Sequence, residues 1–234
     1  NGMMLKDKVA IVTGGTRGIG YAIVHKFLAE GAKVVLFGSR EETVVKAVAF
    51  FKRRNPDWEV SGAWPKLTDA AAGDEINKVK EKYGKIDILV NTPVSQTVHQ
   101  LTSIPQSALL VYGSKCQRHD ERHPSNRCYY ERTGRRLYFK YQLNGQHLRP
   151  AGRRCYPSSK YAVNGLTWSL RTELGPFHIR VNAVAPGITR TDMVAALPKE
   201  MSDPLINRIP LRRIGEAEDI QTHSSSWQAI WLRM

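Results

Sequence analysis

The chain has 234 residues, a formal net charge of +14, 41% hydrophobic residues and three cysteines. This length suits one α/β domain with a sizeable core, and no run of eighteen apolar residues is present to suggest a membrane span. The opening residues, NGMMLKDKVAIV, lack the cleavable apolar segment of a secretory leader, so a cytoplasmic location is expected.

The charge is uneven. Thr92 to Cys155 holds 11 Lys and Arg against 3 Asp and Glu, which is +8 of the total, with all three cysteines (Cys116, Cys128, Cys155) and four of the seven histidines. The composition shifts at both ends of this stretch. The charge is therefore no argument for a nucleic-acid or anionic partner until the shift is explained.

In chain order, KVAIVT (8–13) is a short β-branched run that predicts a buried strand. GGTRGIG (14–20) follows at once, and YAIVHKFLAEGA then has apolar residues at helical spacing (Ala22, Ile23, Phe27, Leu28) with a stop at Gly31. KVVLFGSR predicts a second strand. Strand, glycine turn, helix and strand make a βαβ unit that opens with a dinucleotide-type loop. Its glycines let the backbone turn tightly against a pyrophosphate, and the helix start offers N–H groups and a positive dipole end. WEVSGAW predicts a third strand, INKVKEKYG an amphipathic helix with a glycine stop, and KIDILVN (85–91) a fourth strand.

The spacing TGGTRGIG (Thr13–Gly20) resembles the TGxxxGIG motif of the short-chain dehydrogenase/reductase family. That resemblance implies a single doubly wound domain with a parallel sheet (Rossmann type) over 1–234. It also assigns cofactor contacts to Gly14, Thr16, Arg17, Gly18, Ile19 and Gly20. The second strand ends in Gly38-Ser39-Arg40, with no acidic residue to take a ribose 2′-hydroxyl. Ser39, Arg40 and Arg17 suit a 2′-phosphate instead, which favours NADP(H) over NAD. Leu67 resembles the position beside the adenine, although Lys66 stands where the family usually has Asp. Asn91 resembles the first residue of the family's NNAG motif.

Farther on, YPSSK (156–160) and VNAVAPGITRTDM resemble the family's YxxxK helix, the strand after it and its PG motif. Residues four apart share a helix face, so Tyr156 and Lys160 face one cleft. A phenol with a pKa near 10 is a poor acid–base at neutral pH. An adjacent ammonium lowers it, so that it can protonate a nascent alkoxide or take the proton in oxidation. The resemblance adds that Lys160 holds the nicotinamide ribose, and that Pro186, Gly187, Ile188 and Thr189 form the nicotinamide-side loop. Close resemblance covers residues 5–91 and 156–220.

Between these blocks the pattern stops. The family needs a serine thirteen residues before the tyrosine, and Leu143 stands there. Back-translation accounts for the break. TPVSQTVHQ can be encoded so that a neighbouring frame reads AGVSDSTS, which after Asn-Asn restores the family motif. YQLNGQHLRPAGRRC likewise permits TSSMVSIYGQPAGVA, with a serine codon straddling Leu143 and Asn144. YGSKCQRH permits MDLNVKG, and QTHSSSWQAIWLRM permits ANAFLFLASDLASY. One base lost after Asn91 and three losses in all return the frame at Tyr156. Residues 92–155 and 221–234 thus read as out-of-frame translation, and the fold is expected to be disrupted in the middle and at the C-terminus. RRLYFKYQLNGQHLRP in particular fits a central parallel strand poorly, because Arg136, Lys140 and Gln142 would meet buried faces.

Two other patterns lie inside that stretch. Cys116, His119, His123 and Cys128 have zinc-like spacing, and the basic run with Tyr129, Tyr130, Tyr138 and Tyr141 resembles a single-strand nucleic-acid surface. Both are set aside as products of the wrong frame, so no metal, nucleic acid or membrane partner is expected. The string APGITRTDMVAALPKEM, with the recovered SSMVSIYGQPAG, resembles bacterial hydroxysteroid dehydrogenases. This implies an oxidoreductase acting on a small-molecule ketone or secondary alcohol, with a homotetrameric parent. The alternatives are a 3-oxoacyl thioester reductase and a non-functional product of a frame-disrupted gene.

Overall fold

The computed structural model describes residues 3–65, 71–92, 136–141, 155–191, 194, 199–207 and 209–221. Six strands form one sheet in the order β3-β2-β1-β4-β5-β6. They are β1 (Val9–Thr13), β2 (Lys33–Phe37), β3 (Val60–Ala63), β4 (Ile88–Asn91), β5 (Arg136–Tyr141) and β6 (Ile179–Val184). Every neighbouring pair is parallel. Among the described residues the longer helices are α1 (Gly18–Ala29), α2 (Glu41–Arg54), α3 (Ala71–Tyr83), α4 (Cys155–Leu174) and α5 (Lys199–Ile206).

Strand β1 is buried along its whole length, as its VAIVT run requires of a central parallel strand. Its alternate residues feed two cores. Ala10 and Val12 pack with Val24 and Phe27 of α1 and with Val44 and Phe51 of α2. Val9 and Ile11 pack on the other face with Val79 of α3 and Leu170 of α4. Helices therefore cover both faces of the sheet, as in a doubly wound fold. Burial of each large side chain such as Phe27 or Phe51 contributes about 1.5–3 kcal/mol.

Local chemistry fixes the helices. α1 turns Ala22, Ile23, Phe27 and Leu28 inward, and the chain leaves it through Gly31 at φ 83°. α2 buries Val44, Ala47 and Phe51 on one stripe. Its first turn carries Glu41 and Glu42 and its last Lys52, Arg53 and Arg54, each opposing the helix dipole at its own end. Gly20 lets α1 approach the turn after β1, since a Cβ there would stand 2.2 Å from the Gly14 carbonyl oxygen.

The third strand is shorter than WEVSGAW suggests. It spans Val60–Ala63 and ends where Pro65 removes the next ladder donor. The larger correction concerns the middle of the sheet. Arg136–Tyr141 is a strand in full parallel register between β4 and β6, with Asn91 opposite Lys140 and Phe139 opposite Asn182. The sheet is thus continuous where the sequence reading expects a disruption. RLYFKY is rich in aromatic residues, and that β-propensity supports an extended backbone despite its charges. Among the described residues, no helix is long and apolar enough to cross a membrane.

His25 of α1 lies between the two helices of the first core, its ring 5.4 Å from that of Trp58 and 6.4 Å from that of Phe51. Burial pushes its pKa below the ordinary value, the charges of Arg54 and Lys26 push the same way, and Glu218 opposes them. The folded chain therefore holds this proton less tightly than the unfolded chain does. Stability is lost as pH falls through about 6.5 and levels off below the depressed folded value. The urea midpoint should fall between about pH 7.5 and about pH 5, and fall less in His25→Gln. An equal fall in both proteins would rule out His25 as the source.

Candidate active site

The sheet reverses its winding between β1 and β4, and in open α/β sheets ligands bind at the carboxyl ends of the strands beside such a point. Gly14 turns the chain out of β1 at φ 65°, a conformation costly for any residue with a Cβ. Thr13 and Asn91 end β1 and β4 side by side, both almost fully buried. The Thr13 hydroxyl lies 3.2 Å from Asn91 Oδ1 and 3.4 Å from the Val90 carbonyl, either of which can accept its proton. The same oxygen accepts the Thr92 N–H at 3.1 Å, and the Thr92 hydroxyl donates to the Thr13 carbonyl. Thr92 Oγ1 also lies 2.6 Å from where a Cβ on Gly14 would stand and 2.8 Å from one on Gly20. A single buried knot thus joins the end of β4, the glycine turn and the first turn of α1.

Helix α1 starts with Arg17 as an extended N-cap residue and no side-chain cap. Its first-turn amides are left for backbone, solvent or an anion to satisfy. Beside a turn that only glycines permit, this arrangement fits a pyrophosphate. Gly38, just past β2, meets the same turn, because a Cβ on it would lie 2.7 Å from Thr16 Cγ2. The segment Thr16-Arg17 therefore sits against the strand end that carries Ser39 and Arg40. Both arginines are exposed, and Arg40 is the N-cap of α2.

The second part of the site follows β6. Pro186 and Thr189 are buried, with Gly187 and Ile188 between them. Thr189 bridges to Gly215, as Gly215 N–H donates to Ile188 O at 2.9 Å and Arg190 N–H to Gly215 O at 2.7 Å. Arg190 Nε adds bonds of 2.9 and 3.2 Å to Glu216. Arg213 pairs with Asp219 at 2.8 Å, and Asp219 also accepts the Glu216 N–H. Buried Ile220 ties this segment to the first core. The loop then returns to the glycine turn, with Thr191 Cγ2 3.5 Å from the Cβ position of Gly18.

Most sequence-predicted cofactor residues thus lie on one edge of the sheet: Gly14, Thr16, Arg17, Gly18, Ile19, Gly20, Ser39, Arg40, Asn91, Pro186, Gly187, Ile188 and Thr189. Tyr156 and Lys160 occupy the first turns of α4, and their side chains lie outside the described residues, as does Leu67. Cys116, His119, His123, Cys128, Tyr129 and Tyr130 also lie outside them, while Tyr138 and Tyr141 fall in β5. Thr92 and Thr191 are additions. Thr92 stands where the recognisable pattern stops, and Thr191 lies inside the VNAVAPGITRTDM string without a role assigned to it there, since its contact with Gly18 spans more than 170 residues.

Two family profiles match the chain, one described as short chain dehydrogenase over residues 8–107 and one as Enoyl-(Acyl carrier protein) reductase over residues 132–224. A 3alpha-hydroxysteroid dehydrogenase of Mediterraneibacter gnavus is 48% identical over 227 residues, which is 93% of this chain and 88% of that protein. A 3-oxoacyl-[acyl-carrier-protein] reductase of Thermotoga maritima is 31% identical, covering 93% and 89%. Among solved structures, a dehydrogenase/reductase from Sinorhizobium meliloti 1021 superposes with a TM-score of 0.78 at 28% identity, covering 97% of this chain and 90% of that one. The chain belongs to the short-chain dehydrogenase/reductase family and is an NAD(P)-dependent oxidoreductase by descent.

Proposed function

We propose that the intact parent of this chain interconverts a secondary alcohol and a ketone with NADP(H), and that its substrate is a hydroxysteroid. The observation that carries the substrate class is the 48% identity to a 3alpha-hydroxysteroid dehydrogenase, against 31% to a 3-oxoacyl reductase over the same share of the chain. A nicotinamide cofactor held at this site would supply the hydride in reduction and accept it in oxidation. Tyr156 and Lys160 stand four residues apart on α4, a spacing that places the two positions on one helix face. The Tyr156 phenol gives its proton to the developing alkoxide in reduction and takes it back in oxidation. The Lys160 ammonium stabilises the phenolate and holds the ribose. The turn Gly14–Gly20 takes the pyrophosphate, and the 186–189 loop takes the nicotinamide side.

The preference for NADP is supported by the approach of Thr16 to Gly38, the sequence neighbours of Arg17 and of Ser39-Arg40, and by the absence of an acidic residue from Gly38-Ser39-Arg40. A 2′-phosphate is held there by charge-assisted bonds, each about twice as strong as a neutral one. The chain should therefore bind NADPH more tightly than NADH, and Arg40→Asp should reverse the order by placing a carboxylate against the phosphate. Equal affinities in the unsubstituted chain, measured by titration calorimetry, would mean that the arginines play no part.

We further infer that residues 92–155 and 221–234 are out-of-frame translation. The two family profiles leave 108–131 unmatched, wholly inside the first of these stretches. Their matches also take in 92–107, 132–155 and 221–224, so the support is for the centre of the stretch rather than its edges. The consequence is chemical. Leu143, thirteen residues before Tyr156, cannot donate a hydrogen bond to a substrate oxygen, and loss of one such donor costs about two to three orders of magnitude in rate. The written chain should oxidise NADPH with a ketosteroid at least about a hundredfold more slowly than a chain with its frame restored. Comparable turnover by the two chains would overturn the reading.

A further inference from the structure

We propose that Asp219 is a positioning residue for the loop at Pro186–Thr189, because it holds the peptide group between Gly215 and Glu216 with its carbonyl facing Arg190. The proposal rests on the reading of that loop as the nicotinamide side and adds the group that aims it.

Thr189 is joined to Gly215 by an isolated parallel bridge. Gly215 N–H donates to Ile188 O at 2.9 Å, and Arg190 N–H donates to Gly215 O at 2.7 Å. The peptide groups on the two sides of Thr189 are thus set by those on the two sides of Gly215. Thr189 is 3% exposed, so close packing leaves it little room to form the bridge another way. Gly215 has no side chain to fix its own orientation, and the hold comes from a neighbour.

The Gly215 carbonyl and the Glu216 N–H belong to one planar peptide unit and point in opposite directions. Asp219 Oδ2 accepts that N–H at 2.9 Å, while the Asp219 N–H donates to Glu216 O at 3.1 Å. Asp219 is the third residue of the helical turn 217–221, and its side chain reaches back to the capping residue's amide as in a capping box. A grip on the N–H end of the plane aims its carbonyl end at Arg190. The carboxylate lies against the bridge itself, since a Cβ on Gly215 would stand 3.9 Å from Asp219 Oδ2, 3.8 Å from Thr189 Oγ1 and 3.4 Å from Ile188 O. Arg213 orients the carboxylate with bonds of 2.8 Å to Oδ2 and 3.3 Å to Oδ1. The Glu216 carboxylate, in contrast, meets the Arg190 side chain where both are exposed, and such a pair contributes little.

The test uses the full chain with NADPH and with 2′,5′-ADP, a probe that lacks nicotinamide. Calorimetry should show NADPH bound about tenfold more weakly by Asp219→Ala, with 2′,5′-ADP within about twofold of the unsubstituted chain. Asp219→Asn, whose amide oxygen still accepts the Glu216 N–H, should bind NADPH within about threefold of the unsubstituted chain. A merely structural role would weaken both ligands alike. Unchanged NADPH affinity in Asp219→Ala, equal weakening of 2′,5′-ADP, or an Asp219→Asn as weak as Asp219→Ala would overturn the proposal. Hydrogen exchange needs no substitution: by linkage, NADPH should slow exchange at the Glu216 amide of the unsubstituted chain, and 2′,5′-ADP should not. If Asp219→Ala does not fold, exchange there that NADPH leaves unslowed overturns the proposal. An unsubstituted chain that fails to bind NADPH overturns the cofactor reading and this proposal together, whereas NADPH binding indifferent to Asp219 overturns this proposal alone.

Discussion

The hydroxyl of Thr13 is the point on which the nucleotide end of this molecule turns. It is buried at the junction of β1 and β4, where water cannot replace a lost partner. It gives its proton to a β4 acceptor and receives the N–H of Thr92. A buried donor or acceptor left unpaired costs about 1–3 kcal/mol, a sizeable part of a domain's stability. The two central strands therefore end level, and Thr92 is brought against Gly14 and Gly20. The shape of the glycine turn follows from that seating, and the start of α1 follows from the turn.

The loop after β6 is held differently. Its backbone bridge to Gly215 provides two hydrogen bonds, and the Arg190–Glu216 pair is exposed at both ends. Exposed ion pairs contribute about 0–1 kcal/mol, so the bridge and the burial of Ile220 matter more than the charges. The segment is thus anchored in the core through Ile220, while Gly187 at its turn stays exposed.

Much of the βαβ unit was legible because its signals are local. VAIVT and KVVLF are apolar runs of strand length, and Gly14 to Gly20 and Gly31 mark a turn and a helix end. The residues proposed to hold the cofactor were picked out by the same motifs, and the structure gathers most of them at the carboxyl ends of the strands. The strand Arg136–Tyr141 was not legible, because its charges argue against a buried position while its aromatic residues argue for a strand. The structure gives it the full register between β4 and β6. Thr92 and Thr191 were hidden for another reason. Their roles depend on which distant glycine each one meets, and spacing along the chain carries no record of that.

The account makes the Thr13 knot the support of the pyrophosphate turn, and this is tested most directly by titrating NADPH into the chain and into Thr13→Val. Valine keeps the shape of threonine and removes the hydroxyl, so Asn91 and the Thr92 N–H lose a partner and the turn must shift to satisfy them. The expected result is saturable binding by the unsubstituted chain and affinity lower by on the order of tenfold or more in the variant. Equal affinity in the two proteins, with both folded, would contradict it.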